Sequence, residues 1–184
     1  MTLFPRLLLA SCLTVSTFTH AQNFTLSSPT IKANSTLTDA QVFSGFGCTG
    51  QNISPALTWK NAPKNTKSFA ITVYDPDAPT GSGWWHWLAY NISAKTTAIE
   101  ANAGVEDSKL LPVGSVQGRT DFGNHAFGGA CPPVGDKPHR YIFTIHALNT
   151  DKIELPTDAS AAMVGYMLHA HLIAKASFTA KYGR

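Results

Sequence analysis

Three stretches of the chain carry the hydrophobic signature of strands. Ser68–Asp75 reads SFAITVYD and alternates, placing Phe69, Ile71, Val73 and Asp75 on one face. Trp84–Ile92 (WWHWLAYNI) is rich in aromatic side chains, and Tyr141–Leu148 (YIFTIHAL) in β-branched and aromatic ones, both of which favour strands. Phe24–Ser27 and Ala176–Tyr182 supply shorter strands near the two ends. Gly, Pro, Asn and Asp collect between them, in 61–65, 76–83 and 123–138, as loops do. One late segment has helical spacing. Thr157 or Asp158 is the expected N-cap, and the pattern runs to Leu172 and Ile173. Met163, Met167 and Ala170 form one row, and Val164, Leu168 and Leu172 another, as on a helix packed against a core. The pattern therefore predicts a mainly β architecture with a late helix.

The N-terminus breaks this pattern. Arg6 precedes an apolar run from Leu7 to Phe18, and Thr19-His20-Ala21 offers small residues at both cleavage positions. Residues 1–21 thus read as a secretory signal cleaved after Ala21, leaving one domain over 22–184. Leu9-Ala10-Ser11-Cys12 has the look of a lipoprotein box, but the apolar run continues past Cys12, which disfavours anchoring there. Cleavage removes one of three cysteines. In an oxidising compartment the remaining two suggest a Cys48–Cys131 disulfide, with two separate buried thiols as the other reading. So long a loop would add roughly 4 kcal/mol in the chain-entropy picture.

Composition narrows the function classes. Charged residues are 14% of the chain, against about 25% in an average domain. The net charge is +3 without a Lys/Arg cluster, so nucleic acid is not an expected partner. Past the signal, no apolar run approaches the ~20 residues of a membrane span. Gly45 to Gly50 matches G-x-G-x-x-G, yet Asn52-Ile53-Ser54-Pro55 follows where a dinucleotide site needs a helix. His169 and His171 would not share a helix face, so no metal chelate and no cofactor is expected.

Polar groups concentrate in two places. Asp75-Pro76-Asp77-Ala78-Pro79 follows an apolar strand face and leads to His86 among tryptophans. Gly128-Gly129-Ala130-Cys131-Pro132-Pro133 leads to His139-Arg140-Tyr141. In a strand, His139 and Tyr141 share a face and Arg140 takes the other. Brought together, these residues make a small pocket of imidazoles, a phenol, carboxylates and Gly/Pro walls. A carboxylate beside a histidine favours the imidazolium, and its N–H groups, a phenol O–H and backbone N–H groups suit a phosphate or carboxylate. The same groups fit a buried hydrogen-bonded structural network, and the residues alone leave both readings open.

The combination DPDAP…WWHW, GGACPP and HRY resembles the phosphatidylethanolamine-binding protein family, also called Raf-kinase-inhibitor-like proteins. The runs FSGFGCTGQNISPALTW and KSFAITVYDPDAPTGSGWWHW are similar to its bacterial YbhB/YbcL-type branch, whose periplasmic members also carry a signal segment. The resemblance spans the chain from about Phe24 onward. It implies antiparallel β-sheets packed together with flanking short helices and an anion pocket near one end of the sheets. By position, Asp75, Asp77, Pro79 and His86 match the first motif and Pro133, His139 and Tyr141 the second, with Gly129 on a backbone wall. It implies a periplasmic binding or regulatory protein for a small anion, with homodimers possible and no general catalytic reaction. Two other classes stand beside it. One is an interaction module whose pocket is vestigial, with Trp84–Trp87 adding apolar contact area. The other is a hydrolase using His86 and His139 with Asp75 as orienter, for which no neighbouring nucleophile is evident.

Overall fold

The computed structural model describes residues 23–184, so the signal segment and Cys12 lie outside the described residues. In chain order the elements are β1 (Thr25–Ser27), a 3₁₀ turn (Asp39–Gln41), β2 (Ser44–Gly45), β3 (Cys48–Thr49), β4 (Leu57–Lys60), β5 (Ser68–Asp75), β6 (Trp84–Ser93), β7 (Ala98–Ile99), β8 (Val116–Gln117), β9 (His139–Leu148), α1 (Ala161–Ala170) and β10 (Leu172–Tyr182). A five-stranded sheet has the order β10-β9-β5-β6-β8, and a three-stranded sheet the order β1-β4-β7. All strand pairs within the sheets are antiparallel. This is the mainly β, antiparallel architecture the sequence predicts.

The alternation explains the layers. Phe69, Ile71 and Val73 of β5, Trp87 and Ala89 of β6, and Tyr141, Phe143 and Ile145 of β9 pack with Leu26, Leu57 and Trp59 of the smaller sheet. The intervening residues Ala70, Leu88 and Tyr90 pack with Val164 and Leu168 of α1 on the other face. Period-two side chains thus bury the large sheet on both sides, under a second sheet and under a helix.

The helix differs from expectation at both ends. Its N-cap is Ser160, whose hydroxyl accepts from the Met163 N–H at 3.2 Å, not Thr157 or Asp158. Asp158 lies upstream in a turn, too early to reach the first free N–H groups. Leu172 and Ile173 belong to β10 rather than the helix. Leu172 pairs with Leu148, and this edge pairing competes successfully with one more helical turn. Of the two apolar rows, Val164 and Leu168 are buried, while Met163 is 48% exposed.

Gly45 to Gly50 forms the β2–β3 hairpin. Phe46 and Gly47 occupy its tip with φ of 52° and 79°, the left-handed pair of a tight hairpin turn. Cys48 is bonded to Cys131, 83 residues further on, which ties the hairpin to the GGACPP segment.

Candidate binding site at the end of the central sheet

Asp75 is the last residue of β5, and it is 2% exposed. A carboxylate so enclosed needs partners. Its Oδ1 accepts from the Asp77 N–H at 2.8 Å, which fixes the turn through Pro76. Its Oδ2 accepts from His139 Nδ1 at 2.8 Å. His139, at the start of β9, is 3% exposed, and its other nitrogen lies 3.3 Å from Asp136 Oδ2. The expected Asp75–histidine contact is therefore made with His139.

His86 behaves differently. It is 4% exposed in β6, and Nδ1 lies 2.7 Å from the Gly128 carbonyl. A carbonyl only accepts, so Nδ1 carries the hydrogen. Burial pushes the ring's pKa down, against the Gly128 carbonyl, Asp75, the Gly129 carbonyl and Asp121, which act the other way. At His86, burial thus works against the imidazolium form that a neighbouring carboxylate favours. Tyr141 stacks edge-on to it at 5.1 Å. Burial first, then the nearby Asp75, pushes the phenol far up, so Tyr141 remains an O–H donor.

These groups line a cavity of about 170 Å³ with Ala78, Pro79, Pro132 and Pro133. That is below the ~300 Å³ at which drug-sized sites begin, and it suits one small head group. Asp75, Pro79, His86, Pro133, His139 and Tyr141 are gathered there. Asp77 and Gly129 are not among the lining residues. Asp77 instead holds Arg140 in a fork, Oδ2 to Nε at 2.9 Å and Oδ1 to NH2 at 2.6 Å, and Arg140 lowers its pKa to about 2. Its place is to lock the loop after β5 onto β9. The Gly129 N–H is spent on Asn52 Oδ1 at 2.7 Å. A side chain at Gly129 would strike the Gln41 carbonyl, and one at Gly128 the Phe122 ring, so these glycines serve close packing. The wall begins at Cys131, whose backbone acts on the Tyr141 phenol.

Sequence reasoning missed the aromatic rim. Phe46, Trp84 and Phe122 line the mouth, with Phe46 and Phe122 stacked at 5.9 Å and Phe46 68% exposed. A signal for Phe46 was present, since the expected disulfide already brings its hairpin to the GGACPP wall. Arg184 strengthens that junction. It donates from Nε to the Pro132 carbonyl at 2.7 Å and from NH1 to the Gly47 carbonyl at 3.0 Å. Trp84 and Trp85 are half-buried and Trp87 is buried, so the WWHW stretch is mostly core rather than open apolar surface. Among the described residues no helix is long and apolar enough to cross a membrane.

Comparison with known proteins gives the same motifs a wider setting. The family model described as "Phosphatidylethanolamine-binding protein" matches residues 27–183. The UPF0098 protein YbcL of Escherichia coli (strain K12) is 54% identical over 177 residues, covering 96% of this chain and 97% of that protein. The UPF0098 protein YbhB of the same organism is 50% identical over 141 residues, covering 77% of this chain and 88% of the other. The crystal structure of E. coli YbcL, described as a new member of the mammalian PEBP family, superposes with a TM-score of 0.86 at 56% identity, covering 88% of this chain and 98% of that one.

Proposed function

The chain belongs to the phosphatidylethanolamine-binding protein family, and we propose that it is a periplasmic binding or regulatory protein whose cavity takes a small anion, a phosphate or phospholipid-headgroup-like group. One observation carries this reading. Asp75, His86, His139 and Tyr141, which come from three strands, converge on a single cavity sized for one head group. The Tyr141 O–H lines the cavity as a donor for an oxyanion, beside largely apolar walls. The periplasm fits the reading of residues 1–21 as a signal, and the Cys48–Cys131 disulfide is compatible with it.

Titration calorimetry with inorganic phosphate tests the proposal. Binding to the wild type is expected, and Tyr141→Phe and His86→Ala should each weaken it about tenfold or more while the protein stays folded. A folded wild type that gives no heat with phosphate sinks the pocket reading.

A further inference from the structure

The helix-facing side of the central sheet carries a polar cluster that the first cavity does not use. Lys175 of β10 pairs directly with His146 of β9, and His146 pairs in turn with Ala70 of β5, two residues from Thr72. Thr72, His146 and Lys175 therefore share one face across three neighbouring strands, and it is the face opposite to that of His139 and Tyr141. His169 reaches the same place from the last turn of α1. These four side chains line a second cavity of about 170 Å³ between sheet and helix. Its size calls for a small ligand.

The charge of this cavity is one-sided. No Asp or Glu is among its lining residues. Asp121, which accepts the Trp85 backbone N–H at 2.7 Å, does not line it. Among the described residues, Lys175 belongs to no ion pair. Its charge is felt at His146, whose pKa burial first and then Lys175 hold down at about 4. The Thr72 hydroxyl meets His146 Nε2 at 3.0 Å. With that hydroxyl donating, Nδ1 carries an N–H. The helix C-terminus has a partial negative charge that opposes an anion, but the His171 N–H caps its Met167 and His169 carbonyls. The full charge of the ammonium outweighs what is left. Trp85, Leu168 and Leu172 form the rest of the wall and are apolar. One ammonium calls for one negative charge, and an apolar wall calls for a hydrocarbon tail.

We propose that this second cavity binds a small monocarboxylate with a short aliphatic tail, the carboxylate meeting Lys175, His169 and the His146 N–H, and the tail lying against Leu168, Leu172 and Trp85. The inference does not rest on the anion reading of the first cavity.

Acetate and butyrate, equal in charge, make the test, followed by NMR of the isotope-labelled protein at pH 7. The His146 ring, the Trp85 indole N–H and the amides of 165–175 should move along saturable curves. Butyrate should bind about tenfold more tightly than acetate, since each buried methylene is worth about fourfold. Lys175→Glu, an exposed change on β10, should weaken butyrate about tenfold or more by reversing the charge. Tyr141→Phe, in the first cavity, should leave these curves unchanged. Loss of anion binding at Tyr141 with the His146 shifts intact would fell the first site alone. Shifts that never saturate, or that gather around His139 and Tyr141 and spare His146, overturn the inference. So does butyrate binding within about twofold of acetate, because the tail then finds no wall. A folded Lys175→Glu variant with wild-type affinity overturns it as well. Should that variant not fold, the acetate–butyrate comparison in the wild type decides.

Discussion

His139 and His146 stand near opposite ends of β9 and on opposite faces of the same sheet. His139 looks into the cavity and is met by carboxylates on both nitrogens, Asp75 and Asp136. His146 looks toward α1, where Nε2 pairs with the Thr72 hydroxyl at 3.0 Å and Lys175 is its direct neighbour on β10. Burial first, then Lys175, lowers the His146 pKa to about 4. One strand thus carries one residue type in two electrostatic settings. Burying a histidine makes it a neutral core group. Burying it against carboxylates makes it part of a polar network whose members depend on one another. His86 lies between these cases, at the cavity but with the Gly128 carbonyl as its partner.

Breaking the cavity side should have the largest effect. Asp75→Ala leaves His139 Nδ1 enclosed without its acceptor, and should lower unfolding stability by roughly 3 kcal/mol in urea titrations at pH 7. On the helix side, His146→Leu should cost only about 1 kcal/mol under the same conditions, because a single hydrogen bond to Thr72 is lost. If the two changes cost the same, the contrast between the faces is wrong.

The pH dependence sharpens the contrast. His146 takes up a proton in the unfolded chain near 6.5 but in the folded protein only near 4. The unfolded state therefore binds more protons in that window, and stability falls as pH drops from 6.5 toward 4. His86, also lowered, acts in the same direction. Melting curves across this range should slope less steeply in His146→Leu than in the wild type. The opposite sign belongs to no part of this effect. Asp77, lowered to about 2 from 3.8, adds a smaller contribution that is present above 3.8 and is lost as pH falls through 2. Asp77→Asn should shift the melting temperature less than His146→Leu, since its pair with Arg140 is exposed. The smallest effect on stability is expected from Arg184→Ala, which removes surface hydrogen bonds to Gly47 and Pro132. Faster amide exchange confined to 44–49 would register it, and unchanged exchange there would show that the disulfide alone holds the hairpin.

Much of this was legible in the sequence because alternation reports burial directly. The runs 68–75, 84–92 and 141–148 became β5, β6 and β9, and the parity of His139 and Tyr141 against Arg140 followed from period two. Where two structures compete for one backbone, the pattern fell short. Leu172 and Ile173 continue the helical spacing, but Leu148 offers a strand partner that lies far away in sequence. The site shows the same limit. Motif residues ending β5 and beginning β9 were found because they adjoin strands. Phe122 and Asp136 sit in irregular loops, where no periodicity says which way a side chain points. Gly129 was placed on the wall by the family resemblance, and it does admit a close backbone approach. The close approach is real, but it is to the Gln41 carbonyl.

The disulfide has a consequence in time. The rim of the cavity is assembled from a hairpin and a wall whose cysteines lie 83 residues apart, joined by one sulfur–sulfur bond beside the Arg184 contacts and the Phe43–Ala130 backbone bond. That bond persists only where thiols are oxidised. In reducing surroundings only the hydrogen bonds would hold the hairpin to the wall. The outline of the mouth around Phe46 is thereby tied to the redox state of the compartment as well as to the sequence.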